Sequence, residues 1–197
     1  MPLILIASNN KGKLREYREL LAPLGYQVVT PKDLNLDEEE IEENGTTYRE
    51  NSLIKARYYR DLVDIPVISD DSGFEIDALG GFPGLFSARF AKEFDGDYER
   101  AGMALNAKLG ARPRDARFRC TICYIKDKKS APVFFEGDFP GLLLPHSSGH
   151  NGFGYDPFFH STEYDLDMGL ADEHVKNKIS HRARALRKLL EYLSANA

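Results

Sequence analysis

The chain has 197 residues and a formal net charge of −5, with 42% hydrophobic and 29% charged residues. These proportions are those of an ordinary soluble globular protein, and the length predicts a single domain over residues 1–197 with a sizeable core. The negative balance excludes a bulk basic surface for nucleic acid or anionic membranes. A polyanionic substrate would therefore need a local cluster of Lys, Arg and backbone N–H groups.

The N-terminal stretch "MPLILIAS" is apolar but has neither a basic n-region nor a cleavage site, so we interpret it as part of the fold and not as a signal peptide. No apolar run approaches the roughly 18 residues that a membrane span needs. We therefore expect a cytoplasmic protein with no membrane partner.

The first third of the chain predicts an α/β opening. Residues 3–8, "LILIAS", form the continuous apolar run of a central strand that is covered on both faces. The polar turn "NNKGK" and an amphipathic helix that Gly25 ends come next, and "YQVVT" predicts a second strand. After the acidic loop "LDEEEIEENGTT", Thr47 and Glu50 predict a capping box for a helix through "YRENSLIKARYYRDLVD". The order strand, helix, strand is typical of α/β proteins.

The rest of the chain alternates in the same way. "VISD" predicts a strand that stops at Ser72 and Gly73, and "GGFPGLFSARF" predicts an ordered loop or turn. "DYERAGMALNAKLG" predicts a helix, and "ARFRCTICYIKD" and "APVFFEGDF" predict a hairpin of two strands. "GHNGFGYDPFF" predicts a loop leading into a strand, "STEYDLDMGLADEH" an irregular segment, and "KNKISHRARALRKLLEYLSA" one closing helix. We therefore expect the fold class to be α/β, with a long twisted mixed sheet flanked by helices and a substrate cleft between two lobes.

The two cysteines, Cys120 and Cys123, have C-x-x-C spacing, which can indicate a metal or redox site. They lie in an alternating strand pattern, where residues three apart point to opposite faces, and no second Cys pair completes a zinc site. We interpret them as buried structural cysteines.

The stretch "SNNKGK", residues 8–13, lies between a predicted strand and a predicted helix start. Free backbone N–H groups and the helix dipole favour an anion there, and the two lysines add positive charge. A capped helix with solvated lysines explains the same pattern equally well, because this is not the G-x-x-x-x-G-K-[ST] loop.

Asp70 and Asp71 stand side by side at a predicted strand end. Adjacent carboxylates near a phosphate-binding turn suggest Mg²⁺, which takes one or two carboxylates together with waters and phosphate oxygens. A bound cation would cancel their repulsion and let one carboxylate deprotonate a water. The alternative is that they cap a turn, which needs only one of them.

Other stretches are weaker by themselves. "GHNGFGYDPFF" combines glycines with aromatic rings that could stack on a base, but core aromatics explain it as well. "KNKISHR" could bring basic groups to a phosphate or a base edge, whereas most basic helices are solvated faces. "RPRDARFR" is a slight nucleic-acid signal in an acidic chain. The glutamates of "EENGTTYRE" are most simply solvated surface.

Taken in order, the blocks "SNNKGK", "ENSLIKAR", "SDDSG", "GGFPGLFSARF", "GFGYDPFF" and "KNKISHR" resemble the noncanonical purine nucleoside triphosphate pyrophosphatases, the Ham1-like or inosine triphosphatase family. The resemblance covers nearly the full chain. It implies a homodimeric, Mg²⁺-dependent enzyme of two-lobed α/β fold that hydrolyses dITP, ITP and XTP to the monophosphate and pyrophosphate.

The resemblance also implies roles for particular residues. Asp71 and Glu43 would bind Mg²⁺, and Asp71 would activate the Mg²⁺-bound water that attacks the α-phosphorus. The substrate contacts that it implies are Ser8, Asn9, Asn10, Lys11, Gly12, Lys13, Ser72, Phe153, Gly154, Tyr155, Asp156, Lys176, His181 and Arg182. Glu50, Asn51, Lys55 and Arg89 fall in matching blocks without a defined role.

The sequence departs from the family pattern between residues 161 and 177, where Leu166, Asp167 and His174 replace the usual residues. The departure concerns a local loop and the substrate ranking and leaves the metal site untouched. Three other functions stay open at this point: a pyrophosphatase for pyrimidine nucleotides, a nucleotide sensor without catalysis, and a nucleic-acid-binding module, which the net charge disfavours.

Overall fold

The structure, a computed structural model, describes residues 1–36 and 41–196. It confirms the α/β class: eight strands form one mixed sheet, with six α-helices in the described part of the chain. The strands are β1 (Leu3–Ile6), β2 (Gln27–Val29), β3 (Val67–Ile76), β4 (Pro83–Gly84), β5 (Asp115–Ile125), β6 (Val133–Leu143), β7 (Phe159–Ser161) and β8 (Leu166–Asp167). The helices are α1 (Lys11–Leu21), α2 (Tyr48–Leu62), α3 (Ser87–Lys92), α4 (Tyr98–Leu109), α5 (Glu173–Ile179) and α6 (His181–Ala195).

The strands lie in the order β2-β1-β3-β5-β6-β7-β8, and β4 pairs with β3. The pairs of β1 with β2 and with β3 are parallel, whereas β3–β4, β6–β7 and β7–β8 are antiparallel. Parallel pairs need crossover connections, and α1 and α2 supply them in chain order. None of the helices in the described ranges is long and apolar enough to span a bilayer.

The chain divides into two compact units. Unit 1 comprises Met1–Asp71, Cys120–Gly137 and Arg182–Ala197, and unit 2 comprises Ser72–Arg119 and Asp138–His181. The single domain over residues 1–197 and the cleft between two lobes stay predictions.

In unit 1 the sheet is covered on both faces, as the apolar run of β1 predicts. Ile4 and Ile6 pack with residues of α1 and α6, whereas Leu5 packs with residues of α2. Side chains alternate between the faces of a strand, so a continuous apolar run fits a strand that is buried on both sides. In unit 2 a separate cluster, rich in phenylalanine, forms the core around Phe74.

Strand β3 differs from the prediction that it stops at Ser72 and Gly73, because it continues to Ile76. Phe74 and Ile76 are fully buried, and their alternation with polar neighbours is the period of a half-buried strand. The stretch "GGFPGLFSARF" is likewise more ordered than predicted, because it contains β4 and the start of α3. The two aspartates therefore lie inside a strand and do not cap a turn.

The closing helix was also predicted wrongly, because it consists of two helices, α5 and α6. Ser180 separates them with an extended backbone at φ −63° and ψ 163°. The segment predicted to be irregular contains β8. Residues 37–40 of the predicted acidic loop lie outside the described residues.

The predicted capping box of α2 is confirmed. The Thr47 hydroxyl accepts the backbone N–H of Glu50 at 3.1 Å. The Glu50 carboxylate accepts the backbone N–H of Thr46 at 2.6 Å and its hydroxyl at 2.9 Å. These bonds and a weaker one from the backbone N–H of Thr47 lower the pKa of Glu50, so the reciprocal contact of a capping box is present and extends to Thr46.

Candidate active site

A group of buried and half-buried polar residues, most of them charged, surrounds the two aspartates of β3 in unit 1. We call it the aspartate cluster; its members are Lys13, Glu16, Glu43, Asn51, Lys55, Asp70, Asp71 and Arg182. Because side chains alternate along a strand, Asp70 and Asp71 point to opposite faces of the sheet. Asp70 faces α1 and α6, and Asp71 faces α2.

Asp70 is held by cations on both of its oxygens. Lys13 Nζ lies 3.0 Å from Oδ1, and Arg182 Nε lies 2.8 Å from Oδ2. Burial by itself would raise the pKa of Asp70, but the charges of Lys13, Arg182 and Lys55 outweigh it and hold the pKa well below its usual range. Asp70 is therefore ionised at neutral pH, and both of its oxygens are already engaged.

Arg182 links Asp70 to a second carboxylate. Its Nη1 lies 2.5 Å from Oε2 of Glu16, and both side chains are almost completely buried. Such a pair stabilises a fold only when both partners are present, because a single buried charge is expensive. The guanidinium thus ties α6 to α1 and β3; direct contact of Arg182 with a substrate stays a prediction.

Asp71 has the opposite electrostatic environment. Burial raises the pKa of its carboxyl group, and the charge of Glu43 raises it further, against the lowering effects of Lys55, Lys13 and the hydrogen bond from Asn51. Asn51 Nδ2 donates to Asp71 Oδ2 at 3.1 Å. A carboxylate with a raised pKa is a better proton acceptor than an ordinary aspartate.

Lys55 lies among the carboxylates of the cluster. Its Nζ is 2.5 Å from Glu43 Oε1 and donates to the backbone carbonyl of Asp70 at 2.5 Å. Burial lowers the pKa of Lys55, but the charges of Glu43, Asp70 and Asp71 outweigh it, so the pKa is raised. Lys55 therefore stays protonated and relieves part of the repulsion between these carboxylates.

The "SNNKGK" stretch forms the start of α1. Asn10 is the N-cap residue, and its Oδ1 accepts the backbone N–H of Lys13 at 3.1 Å. The Ser8 hydroxyl accepts the backbone N–H of Asn10 at 3.2 Å. Asn9 and Lys11 are exposed, whereas Gly12 is buried. The capped helix and the anion site are therefore compatible, because an N-terminus carries more N–H groups than one cap can satisfy.

We call residues 148–156 of unit 2 the 148–156 loop. A buried ion pair joins this loop to α5. Lys176 Nζ from α5 lies 2.5 Å from Asp156 Oδ2, and the same oxygen accepts the backbone N–H of Phe153 at 2.9 Å. Lys176 Nζ also lies 3.9 Å from the centre of the Phe153 ring, a cation–π distance. Gly152 is required at its position: φ is +76°, and a Cβ there would lie 2.2 Å from Asp156 Oδ2.

Two further predicted residues of unit 2 are enclosed by aromatic groups. Tyr155 is buried, stacks on Phe74 at 5.5 Å between ring centres, and donates its hydroxyl to the Ser87 carbonyl at 2.8 Å. His181 stacks on Phe118 at 4.9 Å with an angle of 16° between the rings. The Tyr155 contacts fit the alternative of core aromatics as well as a base pocket. The burial of His181 does not fit the alternative of a solvated basic face.

The remaining predicted positions are Ser72 and Gly154. Ser72 is half-buried in β3, directly after Asp71. Gly154 has φ +63°, which favours glycine. The structure thus brings the Asp70–Asp71 group together in unit 1 and the Phe153–Lys176 group together in unit 2.

The cysteines are buried and free, as predicted. Cys120 packs on the α1 and α6 face and Cys123 on the α2 face, so the thiols diverge. Burial raises the pKa of Cys123 to about 12 and raises that of Cys120 still more. In the part of the chain that the structure describes, no group of three or more His, Cys, Asp or Glu side chains could hold a metal.

The four arginines of "RPRDARFR" are engaged within unit 2. Arg112 and Arg114 donate to backbone carbonyls, those of Leu109 and Leu143. Arg117 pairs with Asp77, and Arg119 lies between Glu75 and Asp138. These four arginines are therefore engaged in contacts within the fold.

Sequence analysis assigned no role to Asn51 and Lys55 and did not consider Glu16. Asn51 and Lys55 are four residues apart on α2 and therefore share one face of the helix. Glu16 lies three residues after Lys13 on the buried side of α1, where a charged residue needs a partner. Both spacings are visible in the sequence, but the partners are distant along the chain: Asp71 for Asn51, Asp70 for Lys55 and Arg182 for Glu16.

Comparison with known proteins identifies the family of the chain. The Ham1 family model matches residues 4–192. A dITP/XTP pyrophosphatase of Bacillus subtilis is 41% identical over 194 residues, which cover 97% of this chain and 96% of that protein. One of Photorhabdus laumondii is 37% identical over 196 residues, 98% of each chain. The solved structure of the Staphylococcus aureus Ham1 protein has a TM-score of 0.87 at 34% identity and covers 99% of this chain and 100% of that one. The chain belongs to the Ham1 family.

Proposed function

We propose that this chain hydrolyses noncanonical purine nucleoside triphosphates, namely dITP, ITP and XTP, to the monophosphate and pyrophosphate. The names of its relatives as dITP/XTP pyrophosphatases support the substrate class. The observation that carries the reaction is the contrast between two neighbouring carboxylates: both oxygens of Asp70 are held by Lys13 and Arg182, whereas Asp71 lies on the opposite face of the strand, beside Asn51 and near the carboxylate of Glu43.

The donor set fits Mg²⁺ at Asp71 and Glu43. Both oxygens of Asp70 face cations of the protein, so Asp71 is the better ligand of the two aspartates. The cluster sets four carboxylates against three cations, which leaves negative charge for a divalent ion to balance. Hard oxygen donors of this kind are those that Mg²⁺ takes, together with phosphate oxygens and waters. When bound, the ion would neutralise charge that builds on the phosphates.

In the proposed reaction, water attacks the α-phosphorus and Asp71 accepts its proton. Lys55 keeps Glu43 and the Asp70 backbone in place, and Asn51 orients the Asp71 carboxylate through its amide. Lys13 and Lys11, with the N–H groups at the start of α1, would bind the triphosphate and stabilise the negative charge of the departing pyrophosphate. The residues Ser8, Asn9, Asn10, Gly12, Ser72 and Arg182 complete the proposed phosphate side.

The base is assigned to the 148–156 loop and its neighbours. Phe153, with Lys176 against its ring, offers an aromatic surface and a positive charge for a 6-oxo purine. Tyr155, Asp156 and His181 complete this proposed side. A 6-amino group would leave donors aimed at a 6-oxo group unpaired, at a cost of about 1–3 kcal/mol for each donor.

Two properties are proposed on the resemblance alone: assembly as a homodimer and a cytoplasmic location. Light scattering coupled to size-exclusion chromatography tests the first, and a mass of about one chain would contradict it. Fractionation of cells that express the chain tests the second.

The function is tested by incubating ITP, XTP, dTTP and ATP with Mg²⁺ in H₂¹⁸O and measuring pyrophosphate and orthophosphate separately. Release of pyrophosphate from ITP and XTP, with ¹⁸O in the monophosphate, is the expected result. Label in pyrophosphate would mean attack at the β-phosphorus, and direct orthophosphate release would mean attack at the γ-phosphorus. Preference for dTTP would mean that the chain is a pyrophosphatase for pyrimidine nucleotides. Nucleotide binding without turnover would mean that it is a sensor without catalysis.

A further inference from the structure

A second carboxylate arrangement lies in unit 2, in the segment where the sequence departs from the family pattern. Asp167 Oδ2 accepts the Ser148 hydroxyl at 2.7 Å, and Oδ1 lies 2.7 Å from Nδ1 of His160. We call these three residues the Asp167 latch. The hydrogen bonds from Ser148 and His160 lower the pKa of Asp167, so the carboxylate is ionised at neutral pH. A hydrogen bond to an ionised acceptor is stronger than a neutral one.

The antiparallel pair of β7 and β8 gives Asp167 a fixed position. His160 and Asp167 stand opposite each other in the register of this pair, and the backbone N–H of Met168 donates to the Phe159 carbonyl at 2.8 Å. The hairpin of β7 and β8 thus places His160 against the Asp167 carboxylate. The other partner, Ser148, is placed by a backbone hydrogen bond of its own. A carboxylate on a paired strand, such as that of Asp167, is held more rigidly than one on an unpaired loop residue.

The 148–156 loop is packed directly on the residues that follow Asp167. The backbone N–H of Asn151 donates to the Gly169 carbonyl at 2.8 Å, and that of Ser148 donates to the Pro157 carbonyl at 2.8 Å. A Cβ at Gly149 would lie 2.0 Å from the Gly169 oxygen, and one at Gly169 would lie 2.0 Å from the Ser148 oxygen. Two backbones therefore meet here without room for side chains.

The other end of the same loop is held by the Asp156–Lys176 pair, which binds the backbone N–H of Phe153. The residues between Ser148 and Phe153 are thus tied at both ends. We propose that Asp167 and Ser148 are positioning residues, which hold the 148–156 loop so that Phe153 is presented to the purine base. This inference rests on the proposed function for the role of Phe153.

The test compares Ser148→Ala with Ser147→Ala. The Ser147 hydroxyl donates to Glu99 Oε1 at 2.9 Å, so the control removes a neighbouring hydrogen bond from the same stretch and spares Asp167. In Ser148→Ala we expect KM for ITP and XTP to rise about tenfold with kcat changed less than about twofold, the result of losing one hydrogen bond to a charged acceptor. The reacting groups proposed above belong to unit 1 and are left unaltered. Ser148→Thr keeps the hydroxyl and should restore KM.

Amide hydrogen exchange supplies a readout that does not depend on activity. The N–H groups of Ser148, Asn151 and Phe153 are all hydrogen-bonded, so exchange in this segment should quicken about tenfold in Ser148→Ala and stay as in wild type in Ser147→Ala. Unchanged exchange in Ser148→Ala, or equal changes in the two variants, would overturn the latch. A loss of kcat with KM unchanged would overturn its positioning role.

The two hypotheses fail separately. If the wild-type protein hydrolyses neither ITP nor XTP, the proposed function is wrong, and hydrogen exchange alone then decides whether the latch orders the loop. If the protein hydrolyses both nucleotides and Ser148→Ala has the KM and exchange of wild type, the function stands and the latch is wrong.

Discussion

The aspartate cluster of unit 1 and the 148–156 loop of unit 2 bury charge in different ways. The loop balances one carboxylate with one ammonium, Asp156 with Lys176, and adds an aromatic ring. The cluster sets adjacent carboxylates among several cations and distributes them unequally, so that Asp70 is strongly stabilised as an anion and Asp71 is not. A balanced pair fixes a conformation, whereas an unbalanced cluster leaves one carboxylate able to take a proton or a metal. This difference separates a group that orders a loop from a group that can react.

The largest expected effect comes from Asp71→Asn, which removes the reacting carboxylate. Turnover of ITP should fall by about 10³-fold, within the range that a general base contributes. Asparagine has nearly the same size and can keep a hydrogen bond with Asn51, so the fold should persist. Pyrophosphate release measures the loss, and circular dichroism checks the fold. Near-wild-type turnover in the variant would remove Asp71 from the reaction.

The second prediction separates the two aspartates by stability, measured in metal-free buffer. Asp70→Asn leaves Lys13 and Arg182 without their shared carboxylate and should lower the free energy of unfolding by about 3–5 kcal/mol. Asp71→Asn should leave it unchanged or raise it, because burial and Glu43 disfavour the Asp71 charge. Urea unfolding at neutral pH measures both, and equal losses would contradict the assignment.

The pH dependence of these effects has opposite signs. The pKa of Asp70 is lowered in the folded state, so its contribution is present above the unfolded value of about 3.9 and is lost as pH falls towards the folded pKa. The pKa of Asp71 is raised, so its unfavourable effect grows as pH rises from about 3.9 through the folded pKa. Any stability gain of Asp71→Asn should therefore disappear at about pH 4. A gain that persists there would mean another cause.

The sequence predicted the α/β class, both faces of β1 and the burial of the cysteines, because these follow from local periodicity. It did not predict the unequal roles of Asp70 and Asp71. Their neighbours Lys13 and Arg182 lie 57 and 112 residues away from Asp70, so only the folded chain places them on one carboxylate. The predicted end of β3 was wrong for a local reason. The polar residues of "DDSG" interrupt the apolar run, so the alternation of apolar and polar residues at Phe74 and Ile76 was not read as part of the same strand.

The third prediction breaks the balanced pair of unit 2. Lys176→Met leaves Asp156 buried without its cation and removes the charge beside Phe153, so KM for ITP should rise about tenfold with a smaller change in kcat. Lys178→Met, on the exposed side of the same helix, is the matched control and should leave KM for ITP unchanged. Adding Asp156→Asn to Lys176→Met should recover stability but not KM. If it recovers both, the pair is purely structural.

The smallest expected effect sharpens the comparison at the start of α1, where one lysine is paired and the other is exposed. Lys13 contacts Asp70, whereas Lys11 is exposed and would meet the triphosphate through solvent. Lys11→Ala should raise KM for ITP about twofold at low ionic strength, and the difference should vanish near 0.5 M salt, because exposed charges are weak and screened. Lys13→Ala should raise KM by a larger factor that salt does not remove and should also lower the unfolding temperature, since it uncovers one oxygen of Asp70. Steady-state kinetics of both variants across salt concentrations measure these KM values. If KM rises equally in the two variants and salt removes both increases, both lysines act as solvated surface charges. Arg182 would then be the main counter-charge of Asp70.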